Sequence, residues 1–287
     1  FTQDFNDLID IIDEFSKNKK NDIILEDNQQ DDNVKLFDDY VDDYVNNKDG
    51  AKYTRRDLLG DMMIMFVAAT DTTSAGLSFA LVLAAKYPNI QQELYEEIVA
   101  AFGNDVDNIE LRNKGILKIP KLRAFIQETL RIFPPAPTAG FRQILDEGVT
   151  IDATDFGEGV YNAPVGSMPL INVSAIGNNP RYWIKDYNVD KHGKINMDEI
   201  HFDFWMDDDG KFVRQKNGNN FFIFHVGKRD CIGQSLAMKE LMIVLAMIFM
   251  KYEITSVDGK THFEIGSRFN GVVIEPTIDK VVLKPRI

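Results

Sequence analysis

The chain is predicted to fold as a mainly α-helical protein with a small β part. Three observations carry this. Apolar residues recur at helical spacing in several long stretches. Short β-rich runs are confined to residues 141–176 and the tail. No alternation of strand and helix supports a nucleotide-binding parallel sheet.

Residues 1–17 carry Phe5, Leu8, Ile9, Ile12 and Phe15 at helical spacing, and the polar stretch 18–33 reads as a connector. We expect residues 1–34 to form an acidic helix and connector, with 35–287 as one domain. A short helix is expected over 35–47. Thr54 then caps a long helix running towards Pro88, and another covers 89–102, stopping near Gly103. A further helix lies between Pro120 and Pro134, where Pro134, Pro135 and Pro137 prevent its continuation. Val149–Ile151 and Leu170–Val173 suggest strands. Residues 185–220 read as a long irregular segment, of a length usually kept for function. The last strong helix follows Cys231 and reaches Met250. In the tail, Val272–Ile274 and Lys280–Leu283 read as a β-hairpin.

Charge narrows the function classes. The net charge is −13, and residues 1–50 hold 15 acidic side chains against 5 lysines. Such a chain repels phosphate backbones, so nucleic acid is not an expected partner. A solvated face or connector accounts for the acidic opening. Residues 62–85 are apolar, but Asp71, Thr72, Thr73 and Ser74 interrupt them. An ionisable group mid-span is costly in lipid, which favours a buried helix in a water-soluble core over a membrane span. No signal peptide is visible from Phe1 onwards. No Walker loop, dinucleotide fingerprint, zinc-protease helix or nucleophile elbow is present.

Cys231 is the one cysteine, so neither an internal disulfide nor a multi-cysteine zinc site can form. Taken alone it reads as a small buried apolar residue. Its surroundings change that reading. Phe224-His225-Val226-Gly227-Lys228-Arg229-Asp230-Cys231-Ile232-Gly233 matches F-x-x-G-x-R-x-C-x-G at every specified position. Cys231 stands at the start of a helix, where backbone N–H groups and the helix dipole favour an anion. A thiolate there is a metal ligand. Gly227 and Gly233 allow close backbone approach to a flat group, Arg229 can neutralise an acidic substituent, and Phe224 can pack beside the sulfur.

This segment resembles the haem-binding loop of the cytochrome P-450 family. Further motifs agree. Ala68-Ala69-Thr70-Asp71-Thr72-Thr73 resembles A-G-x-D-T-T, with Ala69 in place of the usual Gly. Glu128-Thr129-Leu130-Arg131, followed by Ile132-Phe133-Pro134-Pro135, resembles the E-x-x-R motif. The resemblance runs from about residue 35 to the end and spans the later part of the family's catalytic domain, so the implied fold is P-450-like with its amino-terminal portion missing. A large apolar face is then expected to lie exposed.

The resemblance implies haem b, with Cys231 as the iron ligand and Phe224, Arg229, Gly233 and Arg142 as its contacts. It implies Asp71 and Thr72 as a proton relay, and Ala68, Thr138, Ala139 and Gly140 as residues facing substrate. Glu128 and Arg131 are implied to be a buried structural pair supporting the cysteine loop. The family usually adds an Arg from a downstream segment, but here Phe204 stands in that place within Phe202-Asp203-Phe204-Trp205. Either two members suffice, or another base such as Arg181 or Arg214 substitutes. Gly177 likewise stands where the family usually has His.

The implied function is oxygen activation and oxidation of an apolar small molecule. Electrons would come from NADPH through a reductase, or from a ferredoxin-type donor, docking on Arg229, Lys228, Lys121 and Arg123. Two other readings are a non-catalytic haem or hydrophobic-ligand binding module and a haem-thiolate isomerase. The Asp71–Thr72 pair argues for oxygen activation over both. The resemblance leaves location open: the endoplasmic reticulum membrane given an upstream anchor, the cytoplasm without one.

Overall fold

The computed structural model describes residues 55–104, 116, 119–138, 142–154, 159–184, 196–213, 221–278 and 280–286. The helices expected over 1–17 and 35–47, the Thr54 cap, and Ala139, Gly140 and Arg214 lie outside the described residues. Two compact units are distinguished, Phe1–Thr70 and Asp71–Ile287.

Helix α1, Arg55–Lys86, begins in the first unit and ends in the second. Its segment Gly60–Lys86 is long and apolar enough to cross a membrane, yet the second half is a core element. Ala75, Phe79, Ala80, Val82, Leu83, Ala84 and Ala85 are all buried. The first half differs from the expected buried helix: Met63, Ile64, Phe66 and Val67 are exposed.

Helix α2, Pro88–Phe102, starts on a proline at its first turn and stops at Gly103, whose φ of 72° only glycine adopts cheaply. Helix α3, Pro120–Ile132, also opens on proline and ends ahead of Pro134. Its first two free N–H groups, of Lys121 and Leu122, donate to the Glu97 carboxylate of α2 at 3.1 and 3.2 Å.

Helix α6, Gln234–Lys251, carries apolar residues on nearly every side and lies in the same core as α1, α2 and α3. Leu83, Leu94, Leu122, Phe125, Met242, Leu245 and Phe249 are fully buried there. Each such burial stabilises by about 1.5–3 kcal/mol, and truncating Phe125 or Phe249 to Ala would cost about 3–5 kcal/mol. The buried amide of Gln91 ties α2 to the strand after α6. It accepts from the Ile254 N–H at 2.6 Å and donates to the carbonyls of Ile254 and Ala84 at 2.9 and 3.1 Å.

Strands β1, Val149–Asp152, and β2, Val160–Ala163, form an antiparallel hairpin. The expected strand at Leu170–Val173 is not formed. Val173–Asn178 is helix α4, because the Asn172 side chain caps it by accepting from the Ala175 N–H at 2.9 Å. A short helix α5, Pro180–Trp183, and a 3₁₀ turn, Phe202–Phe204, follow.

The tail corrects a second expectation. Strand β4, Ser267–Phe269, pairs with β5, Ile274–Pro276, while β6, Val281–Pro285, pairs with β3, Tyr252–Ser256. Val272–Ile274 and Lys280–Leu283 therefore do not form one hairpin. The strand directly after α6 buries Ile254, and its backbone takes the final strand as partner.

Candidate functional site

The cysteine loop is built from tight turns. The Cys231 N–H donates to the Phe224 carbonyl at 2.8 Å, and the His225 N–H to the Phe222 carbonyl at 2.9 Å. His225 and Gly227 take positive φ, 59° and 82°. The second makes Gly227 a conformational requirement of the loop. Cys231 lies three residues before α6, and its carbonyl accepts from the Gln234 N–H at 3.3 Å. Cys231 therefore stands in the turn that leads into the first free N–H groups of a helix.

The thiol is free and exposed, and Val226, Ile232 and Leu236 around it are exposed as well. A Cβ at Gly227 would meet nothing within 4 Å, and one at Gly233 only the Cys231 sulfur at 3.9 Å. The space beside Gly227 and Gly233 is open. Among the described residues no cluster of three or more His, Cys, Asp or Glu side chains could hold a bare metal ion. A single exposed thiol in an open loop fits an iron whose other ligands come with a cofactor, as in haem. Arg229 and Arg142 are exposed, and Phe224 packs partly against the helical core.

On α1, Asp71 and Thr72 are half-buried and Thr73 is buried. The Thr73 hydroxyl has no hydrogen-bond partner, whereas Ser74 and Ser78 donate to carbonyls one turn back. Ala68 is exposed and belongs to the first unit, and Thr138 is exposed after α3. A cavity of about 240 Å³ lies further along α1, beside Ser74, Ser78, Arg268, Glu275 and Lys280. None of the expected site residues lines it.

Glu128 and Arg131 are fully buried on α3 and form a bidentate pair at 2.7 and 2.9 Å. Arg131 spends its other donors on the carbonyls of Gly177, Met197 and Glu199 at 2.8–3.1 Å. Glu128 accepts further from the His201 N–H at 2.8 Å and the Trp205 indole N–H at 2.6 Å. Trp205 was not expected in the site. The signal available was its position directly after Phe204, where the Arg is missing. Phe204 is buried, and its ring and that of Trp183 lie over the Arg131 guanidinium at 5.5 and 5.6 Å. Gly177 also gains a reason: any Cβ there would collide with the Arg131 carbonyl.

Two of the expected basic docking residues are engaged within the fold. Lys121 pairs with Glu93 at 2.8 Å, and Arg123 stacks on Phe212 at 4.2 Å. Lys228 and Arg229 are exposed on the cysteine loop itself.

Comparison with known proteins gives the same picture. The family profile described as "Cytochrome P450" matches residues 1–282. A Dictyostelium discoideum protein named probable cytochrome P450 508A4 is 30% identical over 249 residues, covering 86% of this chain and 44% of the relative. A Penicillium oxalicum protein named cytochrome P450 monooxygenase poxM is 29% identical, covering 73% of this chain and 36% of the relative. The crystal structure of a cytochrome P450 (CYP102L1) superposes with a TM-score of 0.63 at 23% identity, over 83% of this chain and 48% of that one. The chain thus spans less than half the length of these relatives. A profile match over nearly every residue, a shared fold, and a single cysteine at the turn before the last core helix agree: the chain belongs to the cytochrome P450 family.

Proposed function

We propose that this chain is the thiolate-bearing part of an oxygen-activating monooxygenase that oxidises an apolar small molecule. The observation that carries the reading is the exposed Cys231 thiol, with its amide tied to the Phe224 carbonyl in the turn before α6. Haem, the family's cofactor, supplies the iron at which oxygen is activated when it is bound.

In this reading Cys231 is the iron's protein ligand. Phe224 keeps water from one side of the sulfur, which strengthens the electrostatics at that atom. Arg229 and Arg142 are proposed to hold the cofactor's two acidic groups by charge-assisted hydrogen bonds. Thr138, Ala139 and Gly140 are proposed to face substrate. Thr72 is proposed to hold a proton donor near the reacting oxygen, and Asp71 to resupply protons from solvent. Electrons are proposed to come from NADPH by way of a reductase, or from a ferredoxin-type donor, docking over Lys228 and Arg229.

The test is the carbon monoxide difference spectrum of the reduced, haem-loaded, full-length protein. The parent should show the thiolate signature and Cys231→Ser should lose it. A Cys231→Ser variant that keeps the signature refutes the assignment.

A further inference from the structure

The buried pair on α3 leads physically to the thiol. Glu128 accepts four hydrogen bonds, two from Arg131, one from the His201 N–H and one from the Trp205 indole. The pair is therefore closed without a third charge. The Trp205 ring stands edge-on to Phe221, with centroids 5.0 Å apart at 81°. Phe221 in turn meets Phe224 at 6.3 Å and 66°. Phe224 supplies the carbonyl that accepts the Cys231 N–H at 2.8 Å. Edge-to-face rings have a preferred geometry, and close-packed interiors pass on displacement rather than absorb it.

We propose that Trp205 is a positioning residue for the Cys231 thiolate. Its indole N–H takes the place of the cation that Phe204 does not supply, and the Phe221 and Phe224 rings transmit the pair's position to the cysteine turn. The inference rests on Cys231 being the iron ligand. It accounts for an aromatic residue at position 204: a second cation there would face Arg131 with every oxygen of Glu128 already occupied.

The test uses the haem-loaded full-length protein and reads the share of bound haem with the thiolate signature, together with its reduction potential. Trp205→Phe keeps a ring and removes the donor. It should lower the ratio of bound haem with the thiolate signature to bound haem without it by up to about tenfold, the limit set by one hydrogen bond to a charged group. Trp205→Phe/Phe204→Arg restores a donor and should recover most of that ratio, whereas Phe204→Arg alone should not improve on the parent. A Trp205→Phe variant with the parental ratio and potential overturns the inference. If that variant does not accumulate, Phe221→Leu is read instead. It leaves all four Glu128 bonds in place and interrupts the ring path, so an unchanged thiolate share again overturns the inference. Cys231→Ser run in parallel separates the two claims. Loss of the signature there, with Trp205→Phe unaffected, refutes only the role of Trp205.

Discussion

Glu128 and Arg131 show why one residue decides so much in this fold. Both are fully buried, and the Arg131 guanidinium also anchors three carbonyls from the segments around α4 and the 3₁₀ turn. Glu128→Ala strands that cation in the core, at a cost of about 3–5 kcal/mol. We expect little soluble, haem-loaded protein from this variant, measured as haem per protein after purification. Normal loading would show the pair to be dispensable. Gly177 supplies the complementary test. Gly177→His restores the family's usual residue but drives a Cβ into the Arg131 carbonyl. We expect it to lower the denaturant midpoint, whereas a neutral effect would mean α4 can shift away from α3.

At the scale of elements, the junction between α2 and α3 makes a pH-dependent contribution. Burial raises the Glu97 carboxyl above its ordinary value of 4.5, against the lowering effect of the Lys121 and Leu122 N–H groups and the Lys121 charge. A raised folded-state value favours the protonated form. The stability it contributes is fully present below 4.5 and is lost as pH rises through the folded-state value. Glu97→Gln keeps a carbonyl acceptor without that charge. Its denaturation midpoint should gain on the parent as pH rises from acid to neutral. A difference that stays constant with pH would contradict this account.

For the molecule as a whole, much apolar surface remains exposed. It includes Val149, Ile151, Val160 and Tyr161 on the β1–β2 hairpin and Val226, Ile232 and Leu236 beside the thiol. An isolated two-stranded hairpin is marginal in water. The chain also spans less than half the length of the relatives described above. The proposed oxygen chemistry is therefore tested in the full-length protein with an electron donor supplied. Thr72→Ala should bind haem and substrate normally yet form less product and more peroxide per electron pair consumed, because acid–base assistance typically worth about 10²–10⁴ in rate is lost. Coupling equal to the parent's would leave Thr72 as an ordinary helix hydroxyl.

Local pattern alone determined α2 and α3, whose starts and stops follow from Pro88, Gly103, Pro120 and Pro134. It also determined the cysteine loop and the Glu128–Arg131 pair, because each lies within one turn or ten contiguous residues. Tertiary structure decided what depends on distant partners. β3 took β6 as partner in place of a tail hairpin, whereas the helix at Val173–Asn178 rests on the local Asn172 cap, a signal three residues long that the β-rich run Leu170–Val173 masked. Trp205 closed the buried pair from 77 residues away. Hydrogen-bond satisfaction in a buried site is a property of everything packed there, and no spacing rule along the chain encodes which distant N–H arrives.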